Sequence, residues 1–145
     1  MPLPAPTAGL VIRYSYLWHA EFIAGRDEGV KDRPAAIIAA VASDAGGDTR
    51  VLVLPITHSA PARGVAALEI PAALKRNLGL DAGRSWIVLA EWNEFVWPGP
   101  DPRPIRNGLS SIVYGSLSRG FFAKLRDEFV AAVTAGRAKQ VTRSQ

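Results

Sequence analysis

The chain has no cysteine, one methionine and only two histidines, His19 and His58, among its 145 residues. The first absence excludes disulfides and thiolate metal sites, although it leaves the compartment open. No stretch approaches the ~18 uncharged apolar residues of a membrane-spanning helix. Met1-Pro2-Leu3-Pro4-Ala5-Pro6-Thr7 lacks the basic start and the apolar run of a secretory signal. A soluble cytoplasmic protein is therefore expected. Also missing are an internal repeat, a Gly-Lys-Thr phosphate loop, a dinucleotide fingerprint and a His-Glu metal motif, so neither a cofactor nor a metal is expected.

Apolar residues make up 48% of the chain, too many for a disordered one, and 145 residues suffice for one core but not for two ordinary domains. The expected domain covers 9–136, with flexible ends at 1–8 and 137–145. A formal charge of +4 permits nucleic-acid binding without demanding it. Part of that charge lies in Arg137, Lys139 and Arg143, an acid-free stretch that reads as a solvated basic tail.

Leu10 to Trp18 is rich in β-branched and aromatic residues after Gly9 and reads as a strand. Residues 19–33, with eight charged or imidazole side chains and two glycines, read as a long loop over a site. Ala35 to Val41 reads as a buried strand, Asp44 to Asp48 as a turn, and Arg50 to Ile56 as the returning strand of a hairpin. Ala67 to Ile70 is a short strand, followed through Pro71 by a short helix over Ala72 to Asn77 that Gly79 ends. Trp86 to Ala90 and Asn93 to Trp97 continue the sheet. Phe122, Leu125, Phe129 and Val133 recur at three- and four-residue spacing, which predicts an amphipathic helix over Phe122 to Ala135. Short strands with one long helix predict a mainly β domain, a small closed or nearly closed barrel with the helix packed on its side.

Two polar points interrupt the apolar strands. Glu28-Gly29-Val30-Lys31-Asp32-Arg33-Pro34 runs into Ala35-Ala36-Ile37-Ile38 and sets Arg33 at the junction, where a planar fork of donors can meet a phosphate or carboxylate. Thr57-His58-Ser59 closes the run Val51 to Ile56. Two such strand ends could form one site.

The Arg33-Pro34 junction, Leu54-Pro55-Ile56-Thr57-His58-Ser59, Leu68-Glu69-Ile70-Pro71 and the Trp86 to Phe95 segment, in that order, resemble the PemK/MazF family of toxin endoribonucleases. The resemblance covers roughly residues 9–98. It implies an SH3-like barrel with added helices, a homodimer, an antitoxin partner, and metal-independent cleavage of single-stranded mRNA. It also implies catalytic roles for Arg33 and Thr57. The chain departs from the family at Glu91-Trp92-Asn93-Glu94-Phe95, where relatives carry Asp-Gln-x-Arg-Thr, and at Leu89, where one branch has an arginine. That departure supports the alternative of a weakened barrel that binds RNA or protein and regulates growth.

Cleavage of RNA by its own 2′-hydroxyl needs proton transfer and stabilisation of charge at phosphorus. Arg33 suits the second task and Thr57 can orient by hydrogen bonding. His58 and Glu91 are the proton-transfer candidates, and His19, Lys31, Ser59 and Trp92 are the expected RNA contacts. Each has a plain structural alternative: Arg33 as an ion-pair anchor for Asp27, Glu28 or Asp32, Thr57 as a tie for its loop, His58 and His19 as ordinary polar loop residues, and Glu91 as a surface group. Trp18 and Trp86 are expected in the core, and Trp92 and Trp97 on a dimer face or a ligand face.

Overall fold

The computed structural model describes residues 5–26, 29, 31–42, 48–105 and 111–143. The expected turn at 44–48 therefore lies, apart from Asp48, outside the described residues. In chain order the elements are β1 (Leu10–Tyr14), α1 (His19–Ile23), β2 (Arg33–Ala42), β3 (Thr49–Thr57), β4 (Ala67–Glu69) and α2 (Ala72–Asn77). There follow β5 (Trp86–Val88), β6 (Glu91–Val96), β7 (Val113–Ser116), α3 (Arg119–Thr134) and β8 (Lys139–Thr142).

The long apolar strand β3 is the hub. One of its edges carries β2 and the other is shared, β5 pairing with Ile56 and Thr57 and β6 with Arg50 to Val53. The sheet runs β4-β5-β3-β2-β1-β7, with β8 added parallel to β6. Among the described residues no pairing joins β7 to β4 or β8, so eight strands form an open sheet. Among the described residues the fold is mixed α/β with three helices, and the expected closed or nearly closed, SH3-like, mainly β barrel is corrected accordingly.

The physical reason lies in β1, β2 and β3, which are apolar on both faces. Side chains of a strand alternate between faces. Leu10, Ile12, Tyr14, Ala35, Ile37, Val51 and Val53 turn to one side, where Tyr16 and Phe95 fill the core. Val11, Ala36, Ile38, Leu54 and Ile56 turn to the other, onto Leu74 of α2, Leu78 at its end, and Leu125, Phe129 and Ala132 of α3. A sheet that buries both faces needs a cover on each, as in layered α/β folds, whereas a small barrel needs a single filled interior.

Three further expectations change. Residues 19–23 form α1, because Glu21 accepts a hydrogen bond from the Trp18 amide at 3.0 Å and so caps the first turn. The helix α3 begins at Arg119, after Ser118, and its buried stripe is Leu125, Phe129 and Ala132, Val133 being exposed. The segment 137–145, expected to be a flexible tail, supplies β8. Beyond it Arg143 is only 4% exposed and meets Asp101 at 2.6 Å.

Candidate functional site

Strand register assembles the site. Ala35 lies opposite Pro55 and Ala36 opposite Leu54. Carried two residues on, that register sets Arg33 across from Thr57. On the other edge Thr57 faces Trp86, and one further step sets His58 beside Ser85. Gly29 fastens the approach to β2, since a Cβ there would collide with the Tyr16 carbonyl.

Two clefts result. The first, ≈ 290 Å³, is lined by Lys31, Arg33, Thr57, His58, Asp81 and Ser85 among others. The second, ≈ 500 Å³, is walled by Trp18, Pro61, Val65, Val88 and Glu91. Lys31, Arg33, Thr57 and Ser59 belong to both and form the ridge between them.

Arg33 is half-buried, with its Cζ 5.0 Å from the centroid of the Trp18 ring. Its Nε is buried with no hydrogen-bond partner. Among the described residues no carboxylate forms an ion pair with it. Asp32 lies instead 3.8 Å from both Arg13 and Arg103, and Asp27 and Glu28 lie outside the described residues. Burial lowers the Arg33 pKa and the nearby Glu21 opposes that shift, but a guanidinium stays cationic. A half-buried cation stacked on indole, with no ion pair among the described residues, is well suited to bind an anion.

His58 sits at the mouth of the first cleft with its Nε2 2.8 Å from Asp81 Oδ2. Its Nδ1 lies 3.3 Å from both Ser85 Oγ and the Arg84 carbonyl. Asp81 also accepts from Lys75 at 2.9 Å, and chiefly that hydrogen bond holds its carboxyl below the usual range. Thr57 Oγ1 accepts from the Ser59 amide at 3.2 Å, tying its own turn while still lining both clefts. Glu91 Oε1 accepts from the His19 amide at 2.8 Å and the Tyr16 hydroxyl at 3.2 Å, so it caps α1 from β6. Burial pushes the Glu91 carboxyl up, and the His19 and Tyr16 hydrogen bonds pull it partly back.

Arg33, Thr57, Lys31 and Ser59 are thus brought together, with His58 at one side and Glu91 at the other. His19 supports the second cleft through its backbone. Trp92 lies elsewhere, edge-to-face against Phe129 at 5.4 Å, and helps pack α3. Trp18 and Trp86 are partly buried, the former at the cleft. Glu94, which the departure from the family pattern made prominent, pairs with Arg50 at 3.1 Å and Leu89 is buried in the core.

The sequence reading missed Lys75, Asp81 and Ser85. The available signal was Asp81-Ala82-Gly83, an Asx turn in which Asp81 Oδ1 accepts from the Gly83 amide at 3.2 Å. Among the described residues no group of three His, Asp or Glu side chains is arranged to hold a metal ion, and no helix is long and apolar enough to cross a membrane. Comparison with family models, curated proteins and solved structures returns no match. With no family match and an open sheet, the resemblance to PemK/MazF toxins and the toxin–antitoxin setting it implied are withdrawn. The homodimer and the antitoxin partner, implied chiefly by that resemblance, lose their basis with it.

Proposed function

We propose that the two clefts bind single-stranded RNA and cleave its backbone by attack of a 2′-hydroxyl on the adjacent phosphate. The observation that carries this reading is Arg33, a half-buried guanidinium that forms no ion pair among the described residues and whose Nε has no hydrogen-bond partner, on the ridge between both clefts and across from Thr57. A phosphate on that ridge receives donors from Arg33, Lys31 and Thr57. The wider cleft, with Trp18 and an apolar wall, suits one unstacked base.

In the reaction the 2′-oxygen bonds to phosphorus as its proton passes to the His58 imidazole. The bond from phosphorus to the 5′-oxygen then breaks, and that oxygen takes a proton from the Glu91 carboxyl, whose burial favours the protonated form. The products are a 2′,3′-cyclic phosphate and a 5′-hydroxyl. Arg33 stabilises the charge that builds on the phosphoryl oxygens, so this route requires no metal ion.

RNA binding without cleavage is a second reading with its own support. Both His58 nitrogens have partners and Glu91 Oε1 already accepts two hydrogen bonds. Incubation of the protein with an unstructured RNA in EDTA separates the two. Cyclic-phosphate ends that vanish when every 2′-oxygen is methylated support cleavage. Retarded but intact RNA supports binding alone, and neither cleavage nor retardation overturns both.

A further inference from the structure

Lys75 is the one lysine of α2 and is only 3% exposed. Its ammonium donates all three of its hydrogen bonds: to Asp81 Oδ1 at 2.9 Å, to Ser85 Oγ at 2.7 Å and to the Gly83 carbonyl. Asp81 and Ser85 each reach on to the same imidazole, Asp81 Oδ2 to His58 Nε2 at 2.8 Å and Ser85 Oγ to His58 Nδ1 at 3.3 Å. Lys75, Asp81, His58 and Ser85 therefore close a ring of side chains. One arm grips His58 firmly and the other loosely.

We propose that Lys75, Asp81 and Ser85 are positioning residues that commit His58 Nε2 to donating and leave Nδ1 as the nitrogen that exchanges protons with a molecule in the first cleft. The buried ammonium holds Asp81 as a carboxylate, and a carboxylate only accepts, so Nε2 keeps its proton. The ammonium also takes one lone pair of Ser85 Oγ and leaves its hydroxyl proton able to turn toward Nδ1. At 3.3 Å that hydrogen bond is long, and a ligand hydroxyl reaching into the cleft can replace it, while the Arg84 carbonyl, also 3.3 Å from Nδ1, is an acceptor that Nδ1 engages once it has taken the proton. The same ammonium fixes Gly83 and Ser85, so the turn carrying both arms moves as one body. This deepens the reading of His58 as the proton acceptor in RNA cleavage and rests on it for its functional meaning.

The test uses nitrogen-15 NMR on the ligand-free protein, in which only His19 and His58 contribute imidazole signals. Wild type is expected to show His58 as a single Nε2-protonated tautomer, with an Nε2 proton slow enough in exchange with water to give its own resonance. Asp81→Asn, which keeps an amide oxygen to accept from Lys75 and whose fold is checked by circular dichroism, should abolish that resonance and mix the tautomers. Lys75→Met should do the same if it folds, and Ser85→Ala should leave the Nε2 proton in place. In RNA cleavage Asp81→Asn should lower kcat by about 100-fold with KM unchanged. A wild-type His58 with mixed tautomers, or an Asp81→Asn variant with unaltered imidazole signals, overturns the proposal. A wild type that shows the single tautomer but leaves RNA intact upholds the ring and removes the cleavage reading, so the two fail separately.

Discussion

Two arginines of this chain occupy opposite situations. Arg143 is sealed in the interior, where its guanidinium meets Asp101 Oδ1 at 2.6 Å, the Ser15 carbonyl at 2.5 Å and Asn93 Oδ1 at 3.2 Å. Asn93 in turn exchanges two hydrogen bonds with the Leu17 backbone, so the cluster knits β6, β8 and the β1–α1 segment together. Arg33 lies on a cleft wall with an indole beneath it and, among the described residues, no carboxylate in ion-pair contact. A buried charge engaged by an ion pair and hydrogen bonds is committed to structure, while a half-buried charge with no ion pair among the described residues is ready for a ligand.

Breaking the first arginine should produce the largest effect. Arg143→Met leaves Asp101 as a buried carboxylate without its cation, and urea unfolding should show a loss of ~3–5 kcal/mol. Arg33→Ala should leave the unfolding midpoint nearly unchanged and lower kcat/KM for RNA cleavage by about 100-fold, equivalent to ~2.7 kcal/mol of transition-state stabilisation. If both variants lost stability equally, the contrast between them would disappear.

The carboxylates sharpen the same contrast through pH. Burial raises the folded-state pKa of Glu91 above its unfolded value of about 4.3, so the folded protein holds that proton longer. Its contribution is most favourable below the unfolded pKa and declines as pH rises through the raised folded value. Glu91→Gln retains an acceptor for the His19 amide and removes the titration. Its stability relative to wild type should therefore grow as pH increases across that window, measured by urea midpoints in a buffer series. The smallest effect belongs to Arg50→Ala, which removes an exposed partner of Glu94 and should cost ~0.2–1 kcal/mol, reduced further by salt.

Local signals made much of this molecule legible. The bounds of α2 coincide with the expected Ala72 to Asn77, because Pro71 pre-sets its start and Gly79, at φ +69°, follows its end. Strands β2 and β3 emerged from their apolar runs, and Arg33, Thr57 and His58 from being the polar residues where those runs begin or end. What stayed hidden depends on partners remote in sequence. Arg143 looks like a solvated basic residue until Asp101 is found beside it, and Lys75 looks like an exposed helix lysine until Asp81 and Ser85 fold back over it. The barrel expectation failed on a signal that was visible, the apolar run that begins at Ala35, whose first four residues to Ile38 are buried on both faces of the sheet before Ala40 and Val41 emerge into solvent.

The parallel pairing of β6 with β8 has a consequence for biosynthesis. Parallel strands need a long crossover, and this one contains β7 and the whole of α3. A nascent chain that has already formed β1 to β6 therefore presents an open backbone edge on β6 while translation continues. Arg143 reaches Tyr14 across 129 residues of sequence, so that edge closes only when the polypeptide has grown past β8. Contacts of such range slow folding and leave intermediates prone to aggregate.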